Sequence, residues 1–326
     1  MKVAIAGAGI TGAYLYRRLQ ARCAVDIFDL KQSTRCGLAP CAWATTKGFE
    51  TYVTRCGLEP GRYIRDRADT VLLGNASVKV DLRTFDKPQF VKDLLKGAKI
   101  NYALLVPQRY DRVIDATGLW RAFLPPLADD IQIPCTQFLV QAKKPLENRI
   151  SFERIGYAWC FALTDGRYHV GCGSLTESPR VTLDRLGWLS STEELKILCS
   201  CSGAVRIASV HHAQPFVISA GAGEVWGVGE AIGCVSPLVG EGIIPGLESA
   251  EILLDHWDDA EGYTKAILSQ FAWMKNERAV IDRLRSGKRL GIRDAWIIKK
   301  NSRRMGVRAG LNLAMTLIKR LRYALM

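Results

Sequence analysis

The chain has no uncharged apolar run of the ~18–20 residues needed to span a bilayer, so no transmembrane helix is expected. It has no CxxC pair. Its ten cysteines fall at irregular positions (23, 36, 41, 56, 135, 160, 172, 199, 201, 234), which argues against a zinc or iron–sulfur framework. Most read as small buried apolar residues, kept reduced in a cytosolic setting. Internal repeats and low-complexity stretches are absent. Acid is scarce at one end: residues 283–326 hold 13 Lys/Arg and one acid, Asp294, while the preceding 282 residues balance to within a single charge. Such a basic tail attracts phosphates of nucleic acid or anionic lipid. No nucleic-acid recognition motif accompanies it, so no nucleic-acid partner is expected.

What is present begins at residue 2. With 326 residues, 48% of them apolar, the chain can hold two modest domains, or one domain with a large insertion. An apolar strand over 2–7 runs into Gly7-x-Gly9-x-x-Gly12, a helix over 10–21 and a second strand over 25–29 ending in Asp29. This is a βαβ unit of the expected length. The strand leaves no room for a signal peptide, so a cytoplasmic place is expected. The glycines let the backbone turn tightly against a pyrophosphate at a helix N-terminus, and Asp29 can accept from ribose hydroxyls. Tyr16 departs from the pattern, standing where a small residue usually packs the helix on the sheet.

Further elements follow. Thr70–Leu82 alternates around Gly74-Asn75 and reads as a hairpin, and Phe85–Leu95 as a helix. Asp111–Asp115 reads as a strand ending in Ala-Thr117-Gly118. Five runs between 134 and 218 (Thr136–Ala142, Arg149–Glu153, Ala158–Leu163, Arg167–Cys172, Val205–Val210) look like one antiparallel sheet. The strand Val225–Val228 is followed by Gly229-Glu230, then by Ser236-Pro-Leu-Val-Gly240-Glu241-Gly242-Ile243 opening a helix to Trp257. From 261 the chain reads as helical. A glycine fingerprint at the start and an acid with a Gly-Glu-Gly helix start two hundred residues later, in that order, point to FAD. The N–H groups of the helix that begins at Gly240-Glu241-Gly242 are expected to face the flavin pyrimidine edge. His211-His212, on a strand, would point to opposite faces and share no metal.

These pieces resemble the geranylgeranyl reductase family, among flavoproteins of the p-hydroxybenzoate hydroxylase type. The resemblance rests on GAGITG with Asp29, on Arg83-Thr-Phe-Asp86, on Asp115-Ala-Thr-Gly118 and on the Glu230 and Gly240–Gly242 segments. Most diagnostic is Tyr157-Ala-Trp159 followed, after eleven intervening residues, by Gly171-Cys-Gly173. It implies an α/β fold: a discontinuous Rossmann-type FAD domain (1–125 and 219–260), an antiparallel-sheet substrate domain (126–218) and a helical basic C-terminal region (261–326). It implies bound FAD held by Gly7, Gly9, Thr11, Gly12, Asp29, Arg83, Thr117, Gly118, Glu230, Gly240, Glu241, Gly242 and Ile243. The activity implied is saturation of isoprenoid C=C bonds in geranylgeranyl-type chains, with a prenyl lipid or prenyl diphosphate as substrate.

A flavin monooxygenase or halogenase, or an electron-transfer flavoprotein, is the alternative on the same fold. The family also has a cysteine in a Cys-Gly turn near the flavin. Cys36 and Cys41 compete for that place, Cys36 being favoured by its Cys36-Gly37 pairing, and together with Tyr157 they are the candidate proton donors. Tyr157 and Trp159 share one strand face and could line an apolar slot. Gly171-Cys-Gly173 lacks a third glycine, so no second nucleotide site is read there. Electrons are then expected from an external donor, a ferredoxin-like protein or a reduced small cofactor. In the tail, Leu311, Ala314, Met315, Ile318, Leu321 and Leu325 recur on one helical face. That face could lie on an anionic membrane, placing the protein peripherally on its inner side, or it could pack on the body.

Overall fold

The computed structural model describes residues 1–30, 41–74, 76–153, 155–189, 194–221, 223–308, 310, 314, 315 and 318. Two sheets frame it. The apolar start forms β1 (Lys2–Ala6), buried from Val3 onward. It pairs in parallel with β2 (Ala24–Phe28) on one side and β7 (Arg112–Asp115) on the other. Beyond β2 lies β6 (Ile100–Asn101), beyond β7 lies β14 (Gly223–Gly227), both parallel, and β13 (Val217–Ala220) closes that edge antiparallel. Strand succession thus departs from β1 in both directions, which opens a crevice at the carboxyl ends of β1 and its neighbours. Helix α1 (Ile10–Leu19) lays Leu15 and Leu19 into the same core as Leu247, Ala250 and Leu253 of α5 (Ile243–Asp255) and Tyr263 and Ile267 of α6 (Ala260–Gln270). The shorter α2 (Phe49–Arg55) and α3 (Lys87–Leu94) join that core, α3 starting where the Asp86 carboxylate accepts the Gln89 N–H at 2.9 Å.

The second sheet contains β3 (Ala44–Thr46), β4 (Ile64–Leu73), β5 (Ala76–Phe85), β8 (Gln132–Ala142), β9 (Arg149–Glu153), β10 (Gly156–Ala162), β11 (Arg167–Ser174) and β12 (Leu195–Arg206). Its order is β12-β8-β11-β10-β9-β4-β5-β3, antiparallel except where β4 meets β9. A boundary at residue 125 therefore does not separate the sheets, because the hairpin at 64–85 belongs to the larger one. Its alternating Val71, Leu73 and Val78 need an apolar cover and find it on Trp159 and Phe161 of β10. The opposite face, with Ala158, Cys160, Val170 and Cys172, is covered by Leu183 of α4 (Pro179–Arg185). A second difference concerns 205–212. The strand ends at Arg206, and His211-His212 lie in a 3-10 turn closed by Ser209, whose carbonyl accepts the His212 N–H and whose hydroxyl bonds His212 Nδ1, both at 2.8 Å.

Helices α7 (Ala272–Arg285) and α8 (Ile292–Ser302) pack Val280, Ile281, Leu284 and Ala295 against Ile131, Ile133 and Ile207 at the end of the larger sheet. Ala314 and Ile318 are buried in the same cluster, with Met315 beside them, so this part of the tail's apolar face is turned onto the protein. Leu311, Leu321 and Leu325 lie outside the described residues. Among the described residues no helix is long and apolar enough to cross a membrane.

The hairpin β10–β11 explains the spacing of the aromatic–glycine motif. Tyr157 pairs with Gly173, and Trp159 with Gly171. Each aromatic thus sits opposite a residue with no side chain. A Cβ at Gly171 would lie 2.3 Å from the Trp159 ring, and the indole N–H donates to Gln137 Oε1 at 3.3 Å. Gly171→Ala should destabilise the protein by about 1–3 kcal/mol through overpacking. Urea denaturation would measure it, and Gly171→Ala combined with Trp159→Leu should cost less than the two single changes added.

Candidate active site

The turn from β1 into α1 is tight on one side and open on the other. Gly7 has φ +101°, and a Cβ there would lie 2.4 Å from the Ala116 carbonyl oxygen. One on Gly12 would meet the Gly7 oxygen at 1.9 Å. Gly9, by contrast, has nothing within 4 Å of its Cβ position, and no side chain caps the helix it starts. The result is an uncapped N-terminus of a ten-residue helix facing open space, the arrangement that favours an anion. Asp29 stands half-buried just past β2. Burial raises its pKa, while the Leu30 N–H, at 2.8 Å, and that of Ala8 hold it down.

Thr11 joins this turn to the distant segment. Cβ atoms on Gly246 and Gly229 would lie 2.6 and 3.0 Å from its hydroxyl oxygen, so α1, α5 and the loop after β14 meet at one threonine. The turn after β7 is built around Asp115, which is wholly buried. Its carboxylate accepts the Thr117 N–H and hydroxyl at 3.1 and 2.6 Å and the N–H groups of Phe123 and Leu124 at 2.8 and 3.2 Å. Gly118, with φ +62°, lies against Glu230: a Cβ there would be 3.5 Å from Glu230 Oε2. Glu230 Oε1 accepts the Arg206 backbone N–H at 2.8 Å. Burial raises the Glu230 pKa, opposed by that bond and by the Arg206 charge.

Arg206 carried no signal beyond a lone charge inside an apolar run, yet it is central. Its buried guanidinium grips Asp130 in bidentate fashion at 2.6 and 2.9 Å and donates to the carbonyls of Leu119 (2.7 Å) and Glu230 (3.3 Å). Nearby, Arg121 is buried with φ +44° and donates to the carbonyls of Pro125, Pro215 and Ala231. Burial, helped by the Arg206 charge, lowers its pKa to about 10. Apart from Arg121 with Pro125, these partners lie a whole element away or on separate loops, which is why no local pattern found them.

At the start of α5 the expectation needs correction. The Ile243 and Ile244 N–H groups do not face open space. The Glu241 carboxylate folds back and accepts both, at 3.1 and 3.0 Å. Burial lifts Glu241 to about 7, with the two N–H groups opposing. The Ser236–Glu241 loop is closed by Gly240 N–H to the Ser236 carbonyl and Ser236 N–H to the Glu241 carbonyl, each 2.8 Å. From α7, buried Glu277 accepts the Ser236 hydroxyl at 2.7 Å and sits at about 7, raised by burial and lowered by Ser236.

The aromatic strand meets this loop. A Cβ on Gly240, whose φ is +64°, would lie 2.2 Å from the Tyr157 hydroxyl, so the loop touches the phenol only because residue 240 is glycine. Burial drives the Tyr157 pKa well above 10, with Cys135, Cys41, Cys172 and Glu241 adding in the same direction. The phenol therefore keeps its proton. Trp159 lies 5.5 Å from Tyr157, ring centroid to centroid, and is buried in the apolar cluster with Phe161. Cys41 is half-buried and packs against the core of the parallel sheet. Cys36 lies outside the described residues. The Arg83 guanidinium, on β5, is held by Glu50 of α2 and Asp81 of its own strand.

No family model matches the chain, and no curated protein matches it in sequence. Solved structures do. A geranylgeranyl bacteriochlorophyll reductase-like protein from Thermoplasma acidophilum superposes with TM-score 0.70 at 16% identity, covering 87% of each chain. The chain shares its fold. A tryptophan 6-halogenase from Streptomyces toxytricini matches with TM-score 0.64 at 15% identity over 85% of this chain and 76% of its own. A flavoprotein/dehydrogenase from Cytophaga hutchinsonii gives 0.62 at 14% identity over 99% and 93%. The resemblance read from the motifs is thus matched at the level of fold, a mixed α/β fold of the reductase-like, halogenase and flavoprotein kind.

The two buried carboxyls make stability pH-dependent. Glu241 and Glu277 titrate near 7 when folded, against 4.5 for an ordinary glutamate. The folded state holds these protons more tightly, so their contribution is fully present below about pH 4.5 and is lost as pH rises through about 7. Glu277→Gln keeps a partner for Ser236 and should raise stability at pH 8 by on the order of 3 kcal/mol, with little change at pH 4. Denaturant melts at the two pH values would show it, and a pH-independent effect would contradict it.

Proposed function

We propose that this chain binds FAD and reduces isoprenoid C=C bonds in geranylgeranyl-type chains of membrane lipids or their precursors. The cofactor fit rests on the open, uncapped helix start at Gly9, on Asp29 at the end of the adjacent strand β2, and on the Thr117-Gly118 and Gly229-Glu230 turns beside it. Gly7, Gly9, Gly12 and Thr11 would hold the pyrophosphate, Asp29 the adenosine ribose, and Thr117, Gly118 and Glu230 the linking chain. The Gly240–Ile243 segment would border the ring. Arg83, held by two carboxylates, is not among these groups. Bound FAD, once reduced, supplies a hydride. Its electrons would come from a ferredoxin-like protein or a reduced small cofactor, since the sequence holds one nucleotide fingerprint.

The observation that carries the substrate reading is the contact of the Tyr157 hydroxyl with Gly240. It ends an apolar stripe, Phe161, Trp159, Tyr157, at the loop where the flavin ring would lie. An isolated alkene is a poor hydride acceptor because nothing stabilises the carbanion, so a proton must assist. Tyr157, whose phenol meets the loop at Gly240, would give it, with Cys36 and Cys41 as the other candidate donors. Ring faces of Tyr157 and Trp159 would stabilise positive charge on the tertiary carbon. The packed stripe excludes water from that charge.

The test is anaerobic incubation of dithionite-reduced, FAD-loaded protein with prenyl lipids and prenyl diphosphates, read by mass spectrometry. Products should gain about two daltons per bond reduced, the mass of the two hydrogens added. Tyr157→Phe should slow single turnover by about 10²-fold, with FAD affinity unchanged. An oxygen-dependent hydroxylation or halogenation in place of reduction would favour the halogenase or monooxygenase reading and overturn this one.

A further inference from the structure

Helix α8 presents two different faces. Toward the protein it buries Asp294, Ala295 and Asn301, and Ile298 packs on the cluster holding Val71, Trp159 and Phe161. Toward solvent it exposes Ile292 (60%) and Trp296 (52%). At about 100° per residue, Ile292, Trp296, Lys299, Lys300, Arg303 and Arg293 fall within one arc of about 120°. The Lys299 ammonium lies over the Trp296 ring, 4.6 Å from its centroid.

The charge of this face is one-sided for a structural reason. Asp294 is the only acid among residues 283–326, and it is buried, with Oδ2 accepting the Gly291 N–H at 2.7 Å and Oδ1 paired with Arg283. The one negative charge that could have balanced the surface is spent on starting the helix. What remains outside is a large aromatic and an isoleucine among exposed bases, with no acid from this segment. A solvated helix face does not need Ile292 and Trp296; a lipid interface uses both an apolar wedge and cations for phosphates.

We propose that the outer face of α8 docks on an anionic lipid bilayer, Ile292 and Trp296 entering the headgroup–acyl boundary while the surrounding Lys and Arg meet lipid phosphates. The role belongs to α8 and not to the apolar face of the tail, which at Ala314 and Ile318 is turned inward. The placement deepens the proposed function, since the inner face of the same helix touches the aromatic cluster. A chain leaving the bilayer at α8 would reach Trp159 along one element. Docking itself needs neither cofactor nor turnover, so it stands or falls apart from the reductase reading.

The test is vesicle flotation with the full-length protein. Vesicles of phosphatidylcholine with about one-third phosphatidylglycerol should carry the protein up, and pure phosphatidylcholine should not. Ile292→Ser with Trp296→Ser should weaken partitioning about tenfold, with circular dichroism and melting temperature unchanged because both side chains are exposed. Arg293→Glu with Lys300→Glu should weaken it comparably and remove the sensitivity to salt. The proposal is overturned if the double serine variant floats like the wild type, if the wild type does not float, or if a DNA duplex at equal phosphate concentration strips it from the vesicles.

Discussion

The buried guanidinium of Arg206 is where the two sheets are held to each other. It leaves the end of β12 in the larger sheet, closes a bidentate pair with Asp130, and reaches the Leu119 and Glu230 carbonyls that belong to loops of the parallel sheet. Its own backbone N–H fixes the Glu230 carboxylate. A buried charge of this kind is costly to desolvate and is tolerated only with every donor engaged. Removing either partner would leave an uncompensated charge inside, a loss of about 3–5 kcal/mol. The turns at Thr117–Gly118 and Gly229–Glu230 keep their mutual position because that one cation bonds both sides.

A second constraint is steric. Wherever the candidate site needs two backbones or an aromatic ring in close approach, a glycine stands opposite: Gly12 against the Gly7 carbonyl, Gly171 under the Trp159 indole, Gly240 against the Tyr157 hydroxyl. The eleven-residue interval between Trp159 and Gly171 is the length of a hairpin that sets Tyr157 opposite Gly173 and Trp159 opposite Gly171. The motif is therefore a register, in which Gly171 makes room for the Trp159 ring and Gly173 for Cys135 and Ile133. This also accounts for Gly171-Cys-Gly173 without any nucleotide.

Much of this was legible beforehand. The first βαβ unit, the hairpin around residue 74, the helix opening at 243 and the shared face of Tyr157 and Trp159 follow from alternation, periodicity and turn residues, all of which act within a dozen positions. The rest is of another kind. The sheet to which the hairpin around residue 74 belongs is not legible in the sequence, because its apolar side could be covered by either one. His211 and His212 were read on a strand because the Ser209 bonds that close their turn leave no periodic trace. That the Glu241 carboxylate folds back onto the Ile243 and Ile244 N–H groups of its own helix has no signal in the Gly-Glu-Gly pattern.

By itself, the sequence determined the elements and the steric permissions: where strands and helices run, which turns need glycine, and that positive charge gathers at one end. Those depend on each residue and its near neighbours. Tertiary structure alone decided the pairings made across long separations, such as Thr11 with Gly229 and Gly246, Arg206 with Asp130, Glu277 with Ser236, and the inward turn of Ala314 and Ile318. Burial and charge compensation choose those partners. Their energies exist only once water has been excluded between segments that the chain holds far apart.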